Sequence, residues 1–174
     1  GQGLFRPEDN LETHYLDANT PLGAFKVVRP REKDFYYHLE NQGDKFLIRT
    51  NWNARNFRLM EAPVNNPGPE NWKEVIPHRP DVMFDSFEVF RDFVAITERK
   101  GGLKQLHIIH WADKKDHYLD FGEPTYTVSA DANPEYDSKN FRYYFSSLKT
   151  PGSVFDYDME TRQKTLRKTE PILG

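Results

Sequence analysis

Cysteine is absent from the 174 residues. With it go a disulfide framework, a thiolate metal site and a cysteine nucleophile. The absence fits a reducing compartment, so the cytoplasm is expected and the periplasm stays open. Long apolar runs are missing as well. The longest, such as Phe93-Val94-Ala95-Ile96, hold about three or four residues, against the roughly 18 that cross a bilayer. Mean hydropathy is −0.84. Neither sign of charge dominates: 24 basic and 27 acidic residues leave a net charge of −3 and a pI near 6.1. Without a strong positive field, nucleic-acid binding loses its main source of affinity, so neither nucleic acid nor membrane is expected as a partner. Residue 1 is Gly rather than Met, and no apolar signal-peptide core follows it. The chain is therefore expected to be a piece of a longer protein, with targeting information elsewhere.

Familiar catalytic patterns are missing too. A serine hydrolase presents its nucleophile on a strained elbow, commonly Gly-x-Ser-x-Gly. None of the six serines, Ser86, Ser129, Ser138, Ser146, Ser147 and Ser153, stands between glycines. No EF-hand, Walker or Gly-x-Gly-x-x-Gly pattern occurs, and Gly1-Gln2-Gly3 reads as a frayed end. His107 and His110 lie in Leu106-His107-Ile108-Ile109-His110-Trp111, expected as a strand. A separation of three then sends the two rings to opposite faces and excludes a shared metal. Asp113, Asp116 and His117 surround Lys114-Lys115 and read as a solvated turn. No catalytic residue, cofactor or metal is assigned.

What is abundant is aromatic: 13 Phe, 9 Tyr and 3 Trp make 14% of the chain, a bias suited to pleated strands. Proline supplies a ruler. Pro30, Pro77, Pro124 and Pro171 follow one another at equal intervals of about 47 residues, each closing a short run. Phe46, Phe93 and Phe141 keep nearly the same period. Within one period a strand near 35–40 is followed by the turn Asn41-Gln42-Gly43-Asp44 and a second strand near 45–50. A third strand near 56–62 and the polar Asn65-Asn66-Pro67-Gly68-Pro69 lead to a fourth near 72–77. Helical periodicity of useful length is absent.

Four strands in roughly 40–50 residues, repeated in series, is the pattern of β-propeller blades. The fold class expected is therefore all-β: three four-stranded antiparallel blades, at about 33–77, 80–124 and 125–171, preceded by an outer half-blade over 11–32. Residues 1–174 then form one partial propeller domain, with no α/β-hydrolase domain. The alternative is an ordinary antiparallel sandwich. In a propeller the first strand of each blade lines the central channel, which makes Asp34, Glu40, Asp85, Glu88 and Asp131 candidate channel acids; as ordinary strand-end and turn residues they need no function. Arg162, Lys164, Arg167 and Lys168 fall on an expected outermost strand, where exposed charge discourages edge pairing.

Several segments in order carry a family resemblance. They are Tyr15-Leu16-Asp17-Ala18, Pro30-Arg31-Glu32, Phe46-Leu47-Ile48-Arg49-Thr50-Asn51 and Ala54-Arg55-Asn56-Phe57-Arg58-Leu59, then Glu98-Arg99-Lys100-Gly101-Gly102-Leu103, Arg142-Tyr143-Tyr144-Phe145-Ser146-Ser147, Thr150-Pro151 and Asp158-Met159-Glu160-Thr161. Over about 13–171 the chain resembles the prolyl oligopeptidase family, most closely the C-terminal half of the N-terminal propeller of oligopeptidase B (protease II). The resemblance implies a seven-bladed propeller joined to an α/β-hydrolase domain with a Ser-Asp-His triad. It implies cleavage of short peptides after Arg or Lys, with the propeller restricting entry, and a triad beyond residue 174. Cleavage after proline stays open. Short peptides and the protein's own hydrolase domain are the expected partners, and the cut edges of a partial ring favour self-association. A free-standing interaction module of kelch or WD type is the second reading, although neither signature occurs. A hydrolase acting through channel carboxylates is the third.

Overall fold

The computed structural model describes Leu4–Phe5 and residues 36–169. The chain forms two compact units, Gly1–Pro80 and Asp81–Gly174. The half-blade expected over 11–32 and the candidate acid Asp34 lie outside the described residues.

The first unit holds one antiparallel sheet: β1 (Leu4–Phe5), β2 (Tyr37–Gln42), β3 (Lys45–Thr50), β4 (Arg58–Pro63) and β5 (Lys73–Ile76), adjacent in that order. The β2–β3 hairpin closes through Gly43, whose φ of 59° is the left-handed conformation that favours glycine. Leu39 stands opposite Ile48, which stands opposite Met60, and Phe46 opposite Ala62. Alternation thus puts Tyr37, Leu39, Phe46, Ile48, Met60 and Ala62 on one face, buried with Trp72. Each large side chain buried there contributes about 1.5–3 kcal/mol. Past β4 the proline-rich stretch folds into a single 3-10 turn at Pro69–Asn71, and the indole N–H of Trp72 donates to the Pro67 carbonyl at 2.9 Å. That bond lets a polar loop deliver an aromatic to the core without an unsatisfied donor.

One strand was not foreseen. Leu4 and Phe5 pair with His38 and Tyr37, so the free side of β2 carries a fifth strand beside residues read as a frayed end. The open edge of β2 offers backbone donors and acceptors that any extended segment can satisfy.

The second unit holds two four-stranded antiparallel sheets. One runs β6 (Met83–Val89), β7 (Phe93–Lys100), β8 (Leu103–His110), β9 (Asp116–Tyr118); the other runs β10 (Thr127–Ala130), β11 (Asn140–Ser146), β12 (Ser153–Asp158), β13 (Lys164–Thr169). The two share one core. Phe93, Ala95, Leu106 and Ile108 of the first bury against Val128, Phe141, Tyr143, Phe145 and Tyr157 of the second. The connection between the sheets adds Phe121, whose ring lies 4.8 Å from Tyr126 and 5.1 Å from Phe145. All six residues of β13 are exposed, as befits an outer edge.

Here the proline ruler misleads once. The run Phe121-Gly122-Glu123 before Pro124 is not a strand: β9 ends at Tyr118, and Gly122 turns with φ 69° under an Asp120 carboxylate that accepts its N–H. Burying Phe121 in the shared core takes this segment off the sheet edge.

Candidate functional site

The expected channel acids have different local surroundings. Glu40 sits on β2 with its Oε1 3.0 Å from His38 Nε2. Asp85 sits at an irregularity of β6, where it accepts a hydrogen bond from Arg99 at 3.0 Å. Glu88, near the end of β6, stands opposite Ala95. Asp131 follows β10, and its carboxylate accepts the N–H of the next residue, Ala132, at 2.8 Å. Three surface clefts of the second unit, of about 230, 230 and 300 Å³, are lined by none of these acids.

Three of the serines, Ser138, Ser147 and Ser153, are engaged locally. The Ser147 hydroxyl accepts the backbone N–H of Thr150, and that of Ser153 donates to the Pro151 carbonyl. Among the described residues no histidine hydrogen-bonds to a serine, and no group of three His, Asp or Glu side chains could hold a metal ion.

The two histidines of β8 differ in their surroundings. The strand prediction for 106–111 puts His107 and His110 on opposite faces, and β8 does so. His110 is half-exposed beside Asp113 at 2.9 Å. His107 instead is nearly closed off, with 5% of its side chain exposed, and both ring nitrogens face carboxylates. Its Nδ1 lies 2.8 Å from Oε2 of the fully buried Glu98, and its Nε2 lies 2.5 Å from Oδ2 of Asp116, which is 54% exposed. The Tyr118 hydroxyl donates to the other oxygen of Glu98 at 2.7 Å, and its ring stacks on the imidazole with centroids 4.2 Å apart.

The register explains how they meet. Ile96, His107 and Tyr118 stand in line across β7, β8 and β9, and Val94, Ile109 and Asp116 form the neighbouring line. Glu98 and Asp116 are thus diagonal neighbours of His107 on one face. Asp116 and His117, read from sequence as a solvated turn, belong to β9. The available signal was Glu98, a charge two residues past the apolar run 93–96 and nine residues from a histidine across the turn at Gly101-Gly102.

On the opposite face of β9, the Tyr157 hydroxyl and His117 Nε2 are hydrogen-bonded at 2.6 Å. Burial is the main cause holding the His117 pKa below the ordinary histidine value, with the charges of Arg162 and His107 adding to it. Burial likewise pushes the Tyr143 phenol up. On the third sheet Arg142 donates to Asp156 from Nε at 2.9 Å, while the Asn133 amide bonds the backbone of Asp131 and Arg142.

Four-stranded antiparallel meanders following one another along the chain define a piece of a β-propeller. A family model described as the prolyl oligopeptidase N-terminal β-propeller domain matches residues 3–170, and the chain belongs to that family. It is similar to dipeptidyl aminopeptidase BI of Pseudoxanthomonas mexicana, 34% identical over 153 residues, covering 87% of this chain and 21% of that protein. Protease 2 of Moraxella lacunata is 29% identical over 163 residues, covering 94% and 23%. Among solved structures, oligopeptidase B from Trypanosoma brucei, in a closed form with covalently bound antipain, superposes with a TM-score of 0.80 at 25% identity, covering 98% and 27%. Oligopeptidase B from Leishmania major gives 0.75 at 27%, covering 90% and 23%. The chain therefore spans between about a fifth and about a quarter of the length of these relatives.

Proposed function

We propose that this chain is a non-catalytic, substrate-gating and scaffolding part of the propeller of a serine oligopeptidase that cleaves short peptides after Arg or Lys. The observation that carries this reading is the family match over residues 3–170, with oligopeptidase B and protease 2 among the relatives. Within the chain, the local hydrogen bonds of Ser147 and Ser153 support a structural rather than nucleophilic use of these hydroxyls. A nucleophile, its base and an oxyanion hole act as a unit, so the reading assigns all three to another part of the protein. Blades at 33–77, 80–124 and 125–171, a half-blade at 11–32, and a passage edged by Asp34, Glu40, Asp85, Glu88 and Asp131 belong to the same proposal. Such a passage concentrates cationic peptides by focusing the field. Self-association of the isolated chain and a cytoplasmic location complete it; light scattering over a concentration series tests the first and cell fractionation the second.

The deciding experiment compares the full-length protein with this chain alone on fluorogenic peptides ending in Arg, Lys or Pro. The expected result is turnover of the basic substrates by the full-length protein and background from the chain. Turnover by the chain that survives repurification and is abolished by a serine-directed reagent overturns the non-catalytic part. A preference for Pro overturns the basic specificity.

A further inference from the structure

We propose that the cleft between the β8–β9 turn and the β12–β13 turn binds the C-terminal residue of a peptide ending in Arg or Lys, holding its carboxylate and its cationic side chain together. The basic identity of that residue rests on the cleavage preference proposed above; the charge pattern of the cleft does not. The cleft has a volume of about 230 Å³. Sites for drug-sized ligands run to roughly 300–1,000 Å³, so this one has room for a single residue. Each wall carries both signs of charge. Lys115, Asp113 and Asp116 come from the β8–β9 side, and Arg162 and Glu160 from the turn before β13. Buried Phe93 and Met159 supply an apolar lining, suited to the methylene stem of a long basic side chain.

The charges of the cleft are unevenly satisfied. Its three carboxylates are paired with other groups: Asp113 with His110, Asp116 with His107 and Glu160 with Lys139. Among the described residues neither Lys115 Nζ nor the Arg162 guanidinium forms an ion pair. The carboxylates are also only half used. Asp113 accepts through Oδ1, Asp116 meets its partner through Oδ2 and Glu160 through Oε2, which leaves the second oxygen of each without a hydrogen bond. Asp113 stays ionised, its carboxyl held below the usual range first by the Lys115 N–H and then by His110. The Arg162 charge reaches across the cleft, where it is one cause of the lowered His117 pKa. A simple anion would satisfy only the two cations, and a simple cation only the acids. A residue carrying both signs satisfies both sets. Exposed charges contribute little singly, so the ligand gains measurable affinity only when its two ends engage together.

Amide-resolved NMR titration of the full chain with Nα-acetyl-arginine, near neutral pH and at low salt, tests the site. Saturable shifts are expected at 113–117 and 159–162, with a dissociation constant of about 1 mM. Nα-acetyl-arginine amide lacks the carboxylate and Nα-acetyl-norleucine lacks the cation; each is expected to bind about fivefold more weakly. Arg162→Gln is expected to weaken binding of the acid about fivefold and to leave the amide unchanged, because the amide has no carboxylate for residue 162 to hold. Lys115→Gln repeats that check from the opposite wall, away from the left-handed turn position of Arg162, whose φ is 69°. Shifts that do not saturate, or that sodium acetate produces equally, overturn the proposal. So does an amide that binds as tightly as the acid, or a pair of variants that both bind the acid like the wild type. Binding is read without turnover. An empty cleft in a protein that cleaves basic peptides therefore overturns this inference alone, and a preference for Pro overturns the cleavage reading alone.

Discussion

Asn133→Ala removes a side chain that staples the start of the third sheet. The Asn133 amide donates from Nδ2 to the carbonyls of Asp131 at 2.8 Å and Arg142 at 2.9 Å, and its Oδ1 accepts the Arg142 N–H at 2.6 Å. The Arg142 carbonyl keeps the Asp131 N–H as a second partner, so its loss is partial. The Arg142 N–H, at a half-buried position, is left without its acceptor. At about 1 kcal/mol net for each bond, discounted for that surviving partner and for water reaching the site, the cost is about 2 kcal/mol. In a chain of this size that lowers the Tm by about 4–8 °C. Asn133→Asp separates the donor role from the acceptor role. It retains an acceptor for the Arg142 N–H but turns a carboxylate toward two carbonyl oxygens, so near neutral pH it should cost at least as much as Ala. Acid, which protonates that carboxyl and restores a donor, should recover part of the loss. Urea unfolding followed by circular dichroism at neutral and mildly acidic pH measures both variants. An Asn133→Ala chain within about 0.5 kcal/mol of the wild type, a difference typical of featureless surface sites, would refute the staple.

Two further outcomes follow from named groups. The His117 pKa is lowered in the folded chain, chiefly by burial, so on acidification the unfolded chain takes up its proton first. Its contribution is present above the unfolded value of about 6.5 and is lost as pH falls below it; stability curves for the wild type and His117→Gln should diverge in slope there, the variant being flatter, and parallel curves would sink the assignment. Replacing Asp34, Glu40, Asp85 and Glu88 by their amides in the full-length protein should lower kcat/KM for basic peptides more than for neutral ones, with a gap that narrows as salt rises. An equal effect on both substrate classes would return these acids to a structural role.

Much of the architecture was legible because it is written in local chemistry. The turn at Asn41-Gln42-Gly43-Asp44 can be read where it stands, since a positive φ selects glycine without reference to the rest of the chain. The runs near 45–50 and 56–62 stand out beside it as strands bounded by turn residues. Such signals repeat with each blade, so their period survives even where one strand fails. Other features needed partners far apart in sequence. Leu4–Phe5 became a strand only because β2 had a free edge, and Phe121 left its expected strand because the shared core of the second and third sheets had room for its ring. The same holds for Glu98, His107 and Asp116. Their residue types suggest a solvated surface, and only the pairing of β7, β8 and β9 sets two carboxylates diagonally about one imidazole. Sequence determines period, turns and faces through short-range sterics and burial. Register and packing decide which polar side chains meet, because that depends on distances of about 3 Å between side chains that different strands bring together.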